Sequence, residues 1–252
     1  MAAIFQRLDS QAIIAANADA VAQLTAKLIV QSLSRILARK QMASFIPSSG
    51  STPLKTYRLL ATDYKTALDW SRVSVVQMDE YASDTLDRSL YFRNFLTSHL
   101  VTPLGIKNFI SIQKPNSQAL NSPRDYAKKI AALGRIDFAL HGIGRNGHIG
   151  FNEPGSSPLS ETRMIKLAPE TRRDNFPDMP AAKRPQYGMT MGLKDLKNVK
   201  HTLLIATGAH KTNAVRDLLN RSSVEKTPAC ALWETDDFGI IIDRSAAGLI
   251  RL

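Results

Sequence analysis

Apolar residues recur along this 252-residue chain with two different periods, and the two periods alternate. Between Asp9 and Met42 they fall at helical spacing (Ile13, Val21, Leu24, Leu28, Leu33, Ile36 and Leu37), which predicts one long amphipathic helix or two in sequence. Short apolar runs follow at Ala43 to Pro47, Val73 to Met78, Ile136 to Leu140, Tyr187 to Met191, His201 to Ala206 and Phe238 to Ile242, each suited in length to a strand. Helical segments are expected between them at Leu54 to Tyr64, Leu90 to Leu100, Pro123 to Leu133 and from Thr207 through Leu219. Strands that alternate with helices pair in parallel through right-handed crossovers. The expected fold class is therefore α/β, a three-layer α/β/α sandwich with a mostly parallel, Rossmann-like sheet. Length and a hydrophobic content of 44% predict a single domain over residues 1–252. Pro154 to Pro185, rich in Pro, Arg and Asp, follows neither period and is expected to hold a flap.

Polar clusters sit where the strands end, the edge at which open α/β sheets place their chemistry. The run Ile136 to Leu140 leads into HGIGRNGHIGFNEPGS, His141 to Ser156, which sets His148, Asn146, Asn152 and Glu153 on a loop built from Gly142, Gly144, Gly147 and Gly150. Side chains with acid, base and hydrogen-bonding capacity on such a loop make poor core material, so an active site is the better reading. Ser48 to Thr52 is a Ser/Gly turn opening a helix. It suits a phosphate, and it equally suits an ordinary N-cap with Pro53 at the first helical position. Thr207 to Lys211 repeats the arrangement and adds the point charge of Lys211. Asp79 and Glu80 follow a buried run; alone they read as a solvated cap, but beside His148 a partly desolvated carboxylate suits proton abstraction next to a carbonyl. His148 itself reads either as a catalytic group or as a satisfied loop histidine. No metal is expected, because one His with one Glu five residues on does not match common ligand spacings.

Charge and cysteine content narrow the partners. The formal net charge of +11 is scattered (Arg35, Arg39, Lys40, Lys128, Lys129, Arg172, Arg173, Lys183, Arg184) and is not interleaved with aromatic residues, so no nucleic-acid partner is expected. A positive field that attracts small anions and a merely solvated surface both fit it. No apolar run is long enough to span a bilayer and no signal-peptide pattern opens the chain; no membrane partner and a cytoplasmic location are expected. Cys230, beside Pro228 and Ala229, reads as a buried, inert thiol.

Four blocks together carry a resemblance: SSGSTPLKTY at Ser48 to Tyr57, VVQMDEY at Val75 to Tyr81, GIGRNGHIGFNEPGSS at Gly142 to Ser157 and TGAHK at Thr207 to Lys211. In this order the chain, from Ala43 to Ile242, resembles the glucosamine-6-phosphate deaminase/isomerase family. The specific part is Phe151 to Pro154, which related 6-phosphogluconolactonases lack while sharing the Gly-rich framework. The resemblance implies a cofactor-independent conversion of an amino-hexose 6-phosphate and water to a ketohexose 6-phosphate and ammonia, by a monomer or small homo-oligomer. It makes Asp79 the base that moves a proton from C2 toward C1, His148 the group that assists ring opening, and Glu153 the residue that orients it and helps proton traffic at the amine. Asn146 joins this catalytic set. Ser49, Gly50, Ser51, Thr52, Gly144 and Lys211 form the substrate cradle, with Arg172 the chosen candidate, over Arg173 and Arg184, for the phosphate contact from the flap.

The chain departs from the glucosamine pattern in three places. Asn146 stands where many glucosamine enzymes have Asp, and an amide cannot take a proton. The segment after Tyr81 is short, and the flap arginine is not clearly matched. Asn146, the short connection and GLKDLKN at Gly192 to Asn198 are more similar to the galactosamine-6-phosphate branch, whose product is tagatose 6-phosphate. The chain ends soon after its last expected strand, so allosteric control is not expected. Two alternatives remain: a 6-phosphogluconolactonase-type hydrolase, and a phosphosugar-sensing regulatory domain. The second needs a DNA-binding helix-turn-helix, for which the segment before Ala43 is too short.

Overall fold

The computed structural model describes residues 12–114 and 117–248. In chain order it runs β1 (Ala12–Ala15), α1 (Ala18–Leu37), β2 (Ala43–Ile46), α2 (Leu54–Thr62), β3 (Val73–Val76) and β4 (Asp79–Ala82). There follow α3 (Phe92–Leu96), α4 (Thr102–Leu104), β5 (Asn108–Ile110), α5 (Pro123–Ala131), β6 (Ile136–His141), β7 (Arg163–Lys166) and α6 (Pro169–Asn175). The chain continues with β8 (Tyr187–Thr190), α7 (Leu193–Lys197), β9 (Val199–Ala206), α8 (Thr212–Leu219), β10 (Asp237–Asp243) and α9 (Arg244–Ala247).

Among the described residues, seven strands form a wholly parallel sheet in the order β1-β10-β9-β6-β2-β3-β5. Successive side chains on a strand point to opposite faces, and here both faces are apolar. Phe45, Val75, Phe138, Leu203 and Ile241 pack under α1 and α2. Their neighbours Ile46, Val76, Ala139, Leu204 and Ile242 pack with Tyr126 of α5, Leu193 and Leu196 of α7, and Val215 and Leu218 of α8. Burial on both sides explains why these strands read as continuous apolar runs. The three-layer α/β/α expectation is met.

A second sheet, antiparallel in the order β4-β8-β7, stands beyond the strand ends of the first. The strand expected at Tyr187 to Met191 exists, but it belongs to this ribbon and not to the parallel sheet. Its central residue for the site is Thr190, which faces Asp79 on one side and Arg163 on the other. The region expected to be a flap holds β7 and α6, and an aromatic cluster of Tyr81, Tyr91, Phe151 and Phe176 packs beside the ribbon.

The helix expected from Asp9 begins later. Ala12–Ala15, with two consecutive isoleucines, pairs with β10 (Ala12 to Ile240), and Asn17 then accepts the Ala20 N–H at 2.9 Å as the N-cap of α1. A capping side chain fixes a helix start, so the helical spacing carries only from Ala18 onward. Residues 9–11, part of the same expected helix, lie outside the described residues. Among the described residues no helix is long and apolar enough to cross a membrane. Cys230 is free and buried, and burial pushes its thiol up to about 11, which leaves it protonated and inert at neutral pH.

Candidate active site

The loops after β2, β3, β6 and β9 meet at the C-terminal edge of the parallel sheet and line a cavity of about 310 Å³. Of the residues expected from sequence, Ser49, Gly50, Ser51, Thr52, Asp79, Gly144, His148 and Lys211 all line it. Asn146 and Glu153 stand behind His148 and touch it rather than the cavity. Among the described residues no group of three or more His, Cys, Asp or Glu is placed to hold a metal ion.

Asp79 is 5% exposed and lies where the chain leaves the parallel sheet for the ribbon. That crossing is fixed by Gln77, fully buried, whose Nε2 donates to the Asp79 carbonyl and to Glu80 Oε2, both at 2.9 Å, while its Oε1 accepts the Ile112 N–H at 3.0 Å. Asp79 and Glu80 then meet opposite fates. Glu80 is fully buried and accepts backbone N–H groups from Tyr81 (2.9 Å), Phe92 (3.0 Å) and Arg93 (2.8 Å). Those bonds oppose burial, which still raises its carboxyl to about 7. Asp79 faces the cavity, and burial, then the neighbouring Glu80 charge, raise it to about 8. A carboxylate held this high is a strong base once ionised.

His148 is positioned by a relay on its own loop. Glu153 Oε2 accepts Asn146 Nδ2–H at 2.8 Å, which turns Asn146 Oδ1 toward the ring, 2.8 Å from His148 Nδ1. An amide oxygen only accepts, so Nδ1 is the donor in this contact, and in the neutral ring that tautomer leaves Nε2 as the acceptor. Thr171 of α6 donates to the other Glu153 oxygen. Burial works to raise Glu153, but His148, Thr171 and Asn146 outweigh it and hold the carboxyl below its ordinary range. Gly144 is required by close approach: a Cβ there would lie 2.2 Å from the His148 ring. The rest of the FNEPG element anchors the loop. Phe151 packs on Tyr81 with ring centroids 5.3 Å apart, its N–H donates to Thr190 Oγ1 at 3.2 Å, and Asn152 Nδ2 donates to the Met191 carbonyl at 2.8 Å.

At the other end lie the Ser/Gly turn and Lys211. Gly50 has φ +102°, a left-handed backbone that glycine adopts without strain. Ser48 Oγ accepts the Gly142 N–H at 3.2 Å and joins this turn to the histidine loop. The N-cap alternative is corrected in detail: Pro53 itself is the cap residue of α2, and no side chain caps that helix. Lys211 sits at the start of α8, and burial first, then the Arg145 cation, hold its ammonium below the ordinary lysine range.

The expected flap contact does not fit this geometry. Arg172 does not line the cavity; its Nη2 donates to the carbonyls of Ala181 (3.1 Å) and Arg184 (3.2 Å), tying α6 to the segment after it. The cavity wall includes residues that pattern reading did not single out: Met78, Phe92, Arg145, Asp174, Asn175 and His210. Arg145 was within sight, inside the Gly-rich motif, whereas Asp174 and Asn175 reach the wall only because α6 folds back over the loop.

The family model described as glucosamine-6-phosphate isomerases/6-phosphogluconolactonase matches residues 16–239. The glucosamine-6-phosphate deaminase of Pseudoalteromonas translucida is 36% identical over 249 residues, 95% of this chain and 90% of the relative. That of Pseudarthrobacter chlorophenolicus is 35% identical over 232 residues, 90% of this chain and 88% of the relative. Among solved structures, a monomeric glucosamine-6-phosphate deaminase superposes with a TM-score of 0.84 at 30% identity, covering 95% of this chain and 100% of the other. The 6-phosphogluconolactonase from Trypanosoma cruzi gives 0.76 at 18% identity, over 98% of this chain and 100% of the other, a likeness of fold alone.

Proposed function

Since the chain belongs to the family of glucosamine-6-phosphate isomerases and 6-phosphogluconolactonases, we propose that it is an amino-hexose 6-phosphate deaminase/isomerase, turning glucosamine 6-phosphate and water into fructose 6-phosphate and ammonia. The observation that carries this reading is one cavity with a buried, high-pKa Asp79, a tautomer-fixed His148, and a Ser/Gly turn with Lys211. A lactonase needs a base for water but no proton shift between carbons, and so gives Asp79 no task.

The phosphate lies against Ser49 to Thr52 and Lys211, where backbone N–H groups, hydroxyls and one ammonium meet it. His148 Nε2 takes the anomeric hydroxyl proton and returns it to the ring oxygen, which opens the sugar. Glu153, through Asn146, keeps the imidazole in the tautomer this needs. Ionised Asp79 removes the C2 proton and delivers it to C1 while one proton of the ammonium group passes to the C1 oxygen, which leaves a protonated imine at C2 and a hydroxyl at C1. Water adds there and ammonia departs, so the products balance the substrates. The relatives named above favour glucosamine 6-phosphate over the galactosamine epimer to which Asn146 and the Gly192 to Asn198 run pointed. The likeness to a monomeric deaminase supports a monomer within the monomer-or-small-oligomer range.

Ammonia release from glucosamine 6-phosphate and galactosamine 6-phosphate, measured beside hydrolysis of 6-phosphogluconolactone, tests the reading. Release from the glucosamine substrate should exceed the other two activities. Lactone hydrolysis without ammonia release would replace the reading by the lactonase one.

A further inference from the structure

The start of α3 separates two cavities. Phe92 lines the catalytic one, while its neighbours Tyr91, Arg93 and Asn94 line a second, of about 200 Å³, that shares no lining residue with the first. Arg88, from the segment before α3, and Gln113 and Gln118, from the connection between β5 and α5, also line it. Its wall therefore carries two guanidiniums and no carboxylate. Asp87, the nearest acid in sequence, is engaged with the Ser89 N–H at 2.8 Å. Among the described residues neither arginine pairs with an acid. Arg93 Nε donates to Ser111 Oγ at 3.3 Å, which leaves its terminal nitrogens without a partner. Gln113 adds a second, independent sign: it is 2% exposed, yet its Nε2 donates to nothing. A buried amide donor without an acceptor is costly, and here it stands on the wall of a cavity that already collects positive charge. Side-chain and backbone bonds hold this wall together. Asn94 Nδ2 donates to the Arg88 carbonyl, Gln118 Nε2 to the Leu86 carbonyl at 3.0 Å, and the Arg93 N–H to Glu80 Oε2 at 2.8 Å.

We propose that this cavity between Arg88, Arg93 and Gln113 is a second anion site, which takes a phosphate group, either the free ion or a small monoester, independently of the catalytic cavity. The charges match: a phosphate carries nearly two negative charges near neutral pH, and two guanidiniums face it with no acid between them. The shapes match as well. A planar guanidinium presents paired N–H groups to two oxygens at once, and a phosphate has three strong acceptors, so one oxygen is left for the unpartnered Gln113 amide. A carboxylate, with two oxygens and one charge, leaves one of these three donors unanswered. The volume bounds the ligand, since about 200 Å³ admits a phosphate with a short substituent and excludes a bulky one.

Calorimetry with inorganic phosphate, and in parallel with methyl phosphate, reads this site without turnover. The parent should bind two phosphates per chain. Arg88→Glu should weaken one of them about tenfold or more, the loss of at least one charge-assisted contact, and Arg88→Lys should keep part of the affinity. Lys211→Ala should weaken the other. Arg39→Glu, the same charge change at an exposed residue beyond the end of α1, should leave both unchanged, which separates a local contact from the net charge of the molecule. Arg88 is exposed, so its variants should keep the parent Tm. At the Arg88-dependent site, tighter methyl phosphate assigns the ligand to an ester and tighter inorganic phosphate to the free ion. Parent-like isotherms in Arg88→Glu overturn the proposal, as does a single parent phosphate that is lost in Lys211→Ala, or no phosphate binding at all. A single phosphate that depends on Arg88 and not on Lys211 upholds the second site and leaves the catalytic cavity without its phosphate.

Discussion

Asp79 and Glu80 differ by one position and one methylene, yet the fold gives them separate environments. Asp79, raised to about 8 by burial and then by the Glu80 charge, must be ionised to take a proton, so kcat/KM should rise with pH through about 8. Glu80→Gln removes that neighbouring charge, and the rising limb should move to lower pH in a pH–rate profile. Asp79→Asn should lower ammonia release by about 10²–10⁴-fold with the circular dichroism spectrum unchanged. It also carries a stability signature. A carboxyl whose folded pKa lies above its unfolded value binds more protons folded than unfolded between the two, so stability falls as pH rises from about 4 toward about 8. Asp79→Asn should therefore raise Tm relative to the parent at pH 8 and do so less at pH 5; an equal effect at both would contradict the buried, protonated state. The residue types of this centre were legible in sequence because Asp79 and His148 follow buried strands. The role of Gln77 was not, since its partners arrive from Ile112 and from the next strand.

Elements were legible in proportion to their burial. β2, β3, β6, β9 and β10 announce themselves because both faces meet helices. β4 (DEYA), β7 (RMIK) and the three-residue edge strand β5 carry no such run, and their pairing is decided by neighbours distant in sequence. The Gly-rich loop is the element on which the site depends most directly. Gly144→Ala would drive a Cβ into the His148 ring, so turnover should fall by about 10²-fold with little change in phosphate binding. Phe151→Ala, which empties a position 2% exposed in the aromatic cluster, should cost about 3 kcal/mol, read as a lower midpoint in urea.

At the scale of the molecule, the excess of basic residues acquires a use. A chain of net charge +11 that receives a phosphate dianion should show kcat/KM falling as salt is added, with kcat nearly constant, because screening acts on encounter and not on the proton transfer. A kcat that falls in parallel would tie the charge to chemistry instead. The parallel sheet could be inferred from the sequence because it repeats one simple unit. The division of labour between two sheets could not, for it depends on a crossing only two residues long, Gln77 and Met78.

That crossing has a consequence for how the protein can change. On a pleated strand consecutive side chains alternate in direction, so a slip of β4 that brings Glu80 opposite Thr190 would send the longer acid toward the sugar and leave Tyr81, which has no carboxylate, where Glu80 now meets its amides. A single lost codon upstream of Asp79 thus leaves the gripping end untouched while setting the proton-moving oxygen a bond length astray, and a catalyst drifts into a mere receptor for its former substrate.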